Sequence, residues 1–205
     1  MCKSEFQPSL RFISILLVSI LILEVKGVKY EFLIEDEKIF TSCPNQPPGV
    51  FGSDGLFDFS EFKATLNYDL LTIGGNITSK WDMDQTDLVS FQIALFHYDR
   101  GNWQPTIYII TVKDFCKVMY DKNYYWYTYW TKYVINKKDV ESRCFMPGTK
   151  LLMEEYQLNL VLNIGSAVFS GLYKAIYTIE AYSVSGVRRP TSFCFEVRGE
   201  FKKVK

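Results

Sequence analysis

Three stretches of the chain alternate apolar and polar residues with a period of two, the mark of a strand with one buried face. In the first, Phe62, Ala64, Leu66 and Tyr68 alternate with Glu61, Lys63, Thr65, Asn67 and Asp69. In the second, Tyr156, Leu158, Leu160, Leu162 and Ile164 stand against Gln157, Asn159 and Asn163, and in the third Tyr173, Ala175, Tyr177, Ile179 and Ala181 stand against Lys174, Thr178 and Glu180. Val89 to Tyr98 and Thr106 to Thr111 are apolar on both sides and predict interior strands. A last strand places Phe193, Phe195, Val197 and Phe201 on one face and Cys194 on the other, with Glu196, Arg198 and Glu200. Either a bulge re-aims Cys194 or any bridge it makes is peripheral. Turn-forming residues fall between these runs, in Pro44 to Gly55, Asp99 to Asn102 and Ser183 to Pro190. The pattern predicts an all-β fold, an antiparallel two-sheet sandwich. Long alternation of strands with helices is missing, which argues against a doubly wound α/β fold.

The middle of the chain departs from this rhythm. Thr111-Val-Lys-Asp114 has the look of a capping box, and Phe115, Val118 and Met119 follow at helical spacing, predicting a short helix. In the next stretch Trp126, Tyr129, Trp130, Tyr133 and Val134 form a helical stripe, yet so aromatic a run suits a strand equally well.

Before this fold begins, the segment Met1 to Gly27 has the layout of a secretory signal. Lys3 and Arg11 flank an apolar run, Phe12 to Leu23, that is too short to cross a bilayer of about 20 residues' thickness. Val25 and Gly27 fit the cleavage site and predict a mature start at Val28, leaving residues 28–205 as one secreted domain. Removing Lys3, Arg11, Lys26, Glu5 and Glu24 turns the balance of 23 basic and 23 acidic residues into 20 and 21. A near-neutral chain with scattered basic residues has no footprint for nucleic acid. It is also not expected to insert stably into a membrane.

Cleavage removes Cys2 and leaves Cys43, Cys116, Cys144 and Cys194, an even set that predicts two disulfides in an oxidising compartment. Spacing alone does not choose among the three pairings. Cys43–Cys194 with Cys116–Cys144 is favoured, because the first ties the opening of the domain to its last strand and the second staples the middle. No metal or cofactor is expected: the chain has one His and no C-x-x-C pair. Asp82, Asp84 and Asp87 hint at a calcium loop but lack the glycine and final acid of an EF-hand, so a solvated turn is the reading. Asn76-Ile77-Thr78 is a glycosylation sequon, and Gly74-Gly75 before it predicts an exposed turn carrying a glycan on Asn76.

Catalytic chemistry is thinly represented. His97, the only imidazole, lies within a predicted strand, and no G-x-S-x-G is present, so no catalytic residue is assigned. Carboxylate groups at Glu35 to Glu37, Asp82 to Asp87 and Glu154-Glu155 keep a hydrolase in the inventory without specifying one. The abundant chemistry is aromatic, with 14 Tyr, 16 Phe and 4 Trp. These rings either fill a core or line a cavity for an apolar ligand. Candidate lining residues are Trp81, Phe91, Ile93, Phe115, Trp126, Trp130 and Tyr177.

The stretch Ser170 to Ala181, followed by Arg188-Arg-Pro190 and Cys194-Phe-Glu-Val197, resembles the closing hairpin of the ML lipid-recognition superfamily. Arg100-Gly-Asn-Trp-Gln-Pro105, Asp114-Phe-Cys116, Tyr125-Trp126 and Trp130-Thr-Lys132 are similar to its insect branch of chemosensory CheB proteins, relatives of the mammalian ganglioside activator. The resemblance is diffuse and covers most of residues 28–205. It implies an immunoglobulin-like two-sheet cup holding a lipid or pheromone-like hydrophobe, without catalysis, and a membrane receptor or channel as a further partner. It also implies the pairing Cys43 with Cys194 and Cys116 with Cys144. The competing expectation is a secreted sandwich with a filled core that binds other proteins through exposed Tyr and Trp.

Overall fold

The computed structural model describes residues 28–164 and 169–204. The segment read as a secretion signal lies outside them. The fold is all-β, with two antiparallel sheets and a few short helices, as the alternation predicts.

The larger sheet runs β10-β1-β12-β11-β7-β8. Its strands are β1 (Lys29–Ile34), β7 (Leu88–Asp99), β8 (Asn102–Val112), β10 (Leu160–Asn163), β11 (Leu172–Tyr182) and β12 (Arg188–Lys203). The far edge of β12 is shared in succession by β3 (Val50–Phe51), β2 (Thr41–Ser42) and β1. At the last of these junctions Phe32 lies across Gly199, where a Cβ would come within 2.9 Å of the ring. The smaller sheet centres on β6 (Leu70–Ser79), with β5 (Phe62–Asn67) and β4 (Phe57–Asp58) on one edge and β9 (Lys150–Leu158) on the other.

Four short helical turns join these strands, α1 (Ser53–Leu56), α2 (Phe115–Val118), α3 (Tyr125–Tyr129) and α4 (Lys137–Val140), and a 3-10 turn spans Thr131–Tyr133. The aromatic stretch is therefore helical, with Trp126 and Val134 buried on its inner side. The helix at Phe115 forms as predicted, but the capping box does not. Thr111 belongs to β8, where its hydroxyl accepts from Gln92 Nε2 at 3.1 Å, and Asp114 stands at the N-cap without a side-chain capping hydrogen bond, its carboxylate paired instead with Lys117 at 2.8 Å.

Four further expectations are corrected. The run Tyr156 to Ile164 is not one strand. It breaks at Asn159, so that β9 serves the smaller sheet and β10 the larger. The alternation survives because the chain passes between sheets while keeping the same side turned inward. Tyr68 leaves the pattern of β5 for the two-residue turn to β6, at φ 56° and fully exposed. The stretch Thr106 to Thr111 is an edge rather than an interior strand, since β8 pairs with β7 alone. Finally, Gly74-Gly75 makes a bulge inside β6, not a turn. Gly75 takes φ +94°, and Asn76 pairs with Leu152 while its Nδ2 donates to Glu61 at 2.6 Å.

Both favoured disulfides are present, Cys43–Cys194 and Cys116–Cys144. Register along β12 is continuous through Cys194, so no bulge re-aims it. Its bridge lies instead on the outer face, where the Cys43 N–H donates to the Cys194 carbonyl beside the β2 pairing.

Candidate functional site

The inner faces of the two sheets are not packed together along their whole length. Between them lies a cavity of about 500 Å³, inside the range of about 300–1,000 Å³ typical of small-molecule sites. One wall is the larger sheet: Phe91, Ile93 and Leu95 of β7, Ala175, Tyr177 and Ile179 of β11, and Phe195, Val197 and Phe201 of β12. These are the residues that period-two alternation turns to one side. The smaller sheet contributes Ile73, Ile77, Tyr156 and Leu158, and the chain then carries Leu160, Leu162 and Ile164 along the same cavity. No charged residue belongs to the lining among the described residues.

The helical segment between Phe115 and Cys144 covers one side and brings in Tyr125, Trp126, Tyr129 and Trp130. Three polar contacts anchor this cover. The Tyr129 hydroxyl donates to the Val161 carbonyl on the free edge of β10, the Tyr156 hydroxyl to the Tyr129 carbonyl at 2.7 Å, and the Trp126 indole N–H to the Val118 carbonyl at 2.9 Å. Cys116–Cys144 closes the segment covalently, and stacked rings such as Tyr133 on Tyr156 join it to β9. The mouth is marked by the exposed members of the lining, Ile107, Ile109 and Ile110 of β8 with Tyr125 of α3. Ile107 is 89% exposed, an unusual degree for a large aliphatic side chain in a strand.

Of the seven residues proposed from sequence as lining, Phe91, Ile93, Trp126, Trp130 and Tyr177 line the cavity. Phe115 does not. It packs behind the wall, fully buried between Phe91 at 4.5 Å and Phe145 at 5.7 Å. Trp81 also lies elsewhere, buried edge-on against Phe193 beyond the end of β6. Sequence reasoning missed the mouth residues of β8, because a doubly apolar strand reads as interior. It saw the pattern of Tyr156 to Ile164 without drawing from it that those side chains share the cavity.

The remaining chemical groups are held by structural partners. His97 stacks on Tyr173 at 4.5 Å, and its Nε2 lies 3.2 Å from the Ser170 carbonyl oxygen. The aspartates that hinted at a calcium loop are not simply solvated: Asp87 is buried and receives both Nε and Nη2 of Arg189, which also pairs with Asp84. Burial raises the Asp87 carboxyl, but the Arg189 hydrogen bonds and the Asp84 N–H outweigh it and hold the pKa below its ordinary value. The described residues contain no cluster of His, Cys, Asp and Glu that could hold a metal ion.

The chain matches no model of a known family and no curated protein. The cavity therefore has to be read from its own geometry.

Proposed function

We propose that this protein is a secreted, non-catalytic carrier or presenter of a lipid or pheromone-like hydrophobe, of the ML lipid-recognition type, acting in chemosensation with a membrane receptor or channel downstream. The observation that carries the binding part is the cavity itself, about 500 Å³ walled by aliphatic and aromatic side chains with no charged residue in its lining among those described. An apolar molecule entering it would gain about 2.5 kcal/mol for each 100 Å² of its apolar surface removed from water. Two disulfides fit an extracellular setting. Among the described residues no helix is long and apolar enough to cross a membrane. The chemosensory setting rests on the resemblance of the segments around Trp103, Cys116, Trp126 and Trp130 alone.

The cavity also supports this reading over a filled-core interaction module, which needs no space between its sheets. The test is native mass spectrometry of the mature protein from a secreting host, followed by solvent extraction and titration with the fluorescent probe N-phenyl-1-naphthylamine. A released hydrophobe or one probe per chain is expected. A protein that carries nothing and leaves the probe dark overturns the carrier reading.

A further inference from the structure

We propose that the Tyr177 hydroxyl is a recognition point inside the cavity, and that the ligand is a neutral hydrophobe bearing an uncharged oxygen, such as a long-chain ketone, ester or alcohol. This inference rests on the carrier reading and narrows it.

Tyr177 lies midway along β11, flanked in register by Ile93 of β7 and Phe195 of β12. Its ring stacks face to face on Phe195 at 4.9 Å and lies against Phe91 at 6.0 Å, so the hydroxyl is held in one direction. Three other tyrosines of the lining have their hydroxyls taken up by the backbone, whereas Tyr108 of the edge strand β8, like Tyr177, has no hydroxyl partner among the described residues. Tyr125 donates to the Asn163 carbonyl, Tyr129 to that of Val161 and Tyr156 to that of Tyr129. Tyr177 has no such partner among the described residues, and its surroundings are deep enough that burial pushes its pKa up to about 12. Tyr177 is among the residues that line the cavity.

A phenol that opens onto an apolar cavity without a protein partner has only cavity water to bond, and that water itself finds few polar neighbours there. A ligand oxygen at this point supplies a hydrogen bond; a methylene does not. Charge is selected against by the same lining. With no Lys, Arg or His among the lining residues described, a carboxylate inside would be desolvated with no counter-charge, and with no Asp or Glu an ammonium would fare equally badly. The arrangement thus discriminates twice: for an oxygen over a hydrocarbon and for a neutral group over an ion.

The experiment compares three probes of one chain length, n-tetradecane, 2-tetradecanone and tetradecanoate at pH 7.5, as displacers of N-phenyl-1-naphthylamine from wild type and Tyr177→Phe. The ketone is expected to bind wild type about fivefold to tenfold more tightly than the alkane, the scale of one neutral hydrogen bond. Tyr177→Phe should remove that preference while leaving alkane affinity within twofold, and tetradecanoate should bind weakest to both. A preference for the ketone that persists in Tyr177→Phe, or tightest binding by tetradecanoate, overturns the proposal while leaving the carrier reading intact. If the naphthylamine and all three probes fail to bind wild type, the carrier reading falls and this inference with it. The wild-type comparison of ketone with alkane stands even if the variant is unstable.

Discussion

The two faces of β11 and β12 separate polarity from close packing. On the inner face, Ala175, Ile179 and Val197 are apolar, yet they border open space. On the outer face Glu196 is completely buried and Lys174 nearly so, with side-chain exposures of 0% and 8%. Lys174 Nζ donates to Glu196 Oε2 at 2.8 Å, Arg198 donates to Oε1 of the same carboxylate, and Trp103 lies over both cations at 4.9 and 5.8 Å. The charged face is closed by pairing and the apolar face is left unfilled. Polarity along a strand tells which way a side chain points, whereas dryness depends on what covers it.

Breaking the outer face should produce the largest effects on stability. Cys43–Cys194 belongs to that face and closes a sequence separation of 151 residues, against 28 for Cys116–Cys144. By loop-closure entropy, replacing the first pair with alanine should lower the unfolding free energy by about 5 kcal/mol and the second by about 3.5 kcal/mol. Urea titrations of the two double variants check the order, and equal losses would count against it. Glu196→Gln comes next. It leaves Lys174 buried with no full counter-charge and should lower stability by about 3 kcal/mol, read from the same titration.

Protonating these carboxylates should do more gently what mutation does abruptly. Burial alone would raise the Glu196 carboxyl, but hydrogen bonds from Lys174 and Arg198 reverse that and hold it below its ordinary pKa of 4.5. A carboxyl whose folded pKa is depressed adds stability above its unfolded pKa and loses it as pH falls through the folded value. Asp87 shifts the same way. Stability should therefore be level near neutrality and decline as pH drops below about 4.5, with a shallower decline in Glu196→Gln. Thermal melts from pH 7 to pH 3 measure both slopes, and a parallel decline in the two proteins would remove Glu196 from the account.

The inner face should respond in the opposite way. Ala175 borders the cavity, so Ala175→Leu adds volume to space that is already empty. Stability should change by less than about 1 kcal/mol, while naphthylamine affinity falls at least tenfold. A loss of several kcal/mol with binding intact would mean that this wall is packed rather than open, and the contrast between the faces would collapse.

Much of the fold is legible in the order of residues. Alternation in β5, β9, β10, β11 and β12 specified inward and outward sides, and of the five proposed residues that line the cavity Tyr177 stands on such a strand, while Phe91 and Ile93 lie on β7 and Trp126 and Trp130 on the helical cover. That signal is local, because adjacent side chains of a strand must point to opposite faces. It could not place Phe115 or Trp81, whose aromatic character is equally suited to a packed core and a cavity wall. Nor could it read β8, whose isoleucines resemble those of an interior strand.

What the sequence by itself determined is the all-β sandwich, the short helix at Phe115 and the inward and outward sides of the strands that alternate, since these follow from backbone geometry over a few residues. The tertiary structure alone decided that Tyr156 to Ile164 serves two sheets, that 124–134 is a helical cover, that Glu196 is dry and that the Tyr177 hydroxyl has no partner among the described residues. Each of these depends on which distant segments come to lie against the residue, and contacts across 20 to 150 positions leave no periodic trace in the chain.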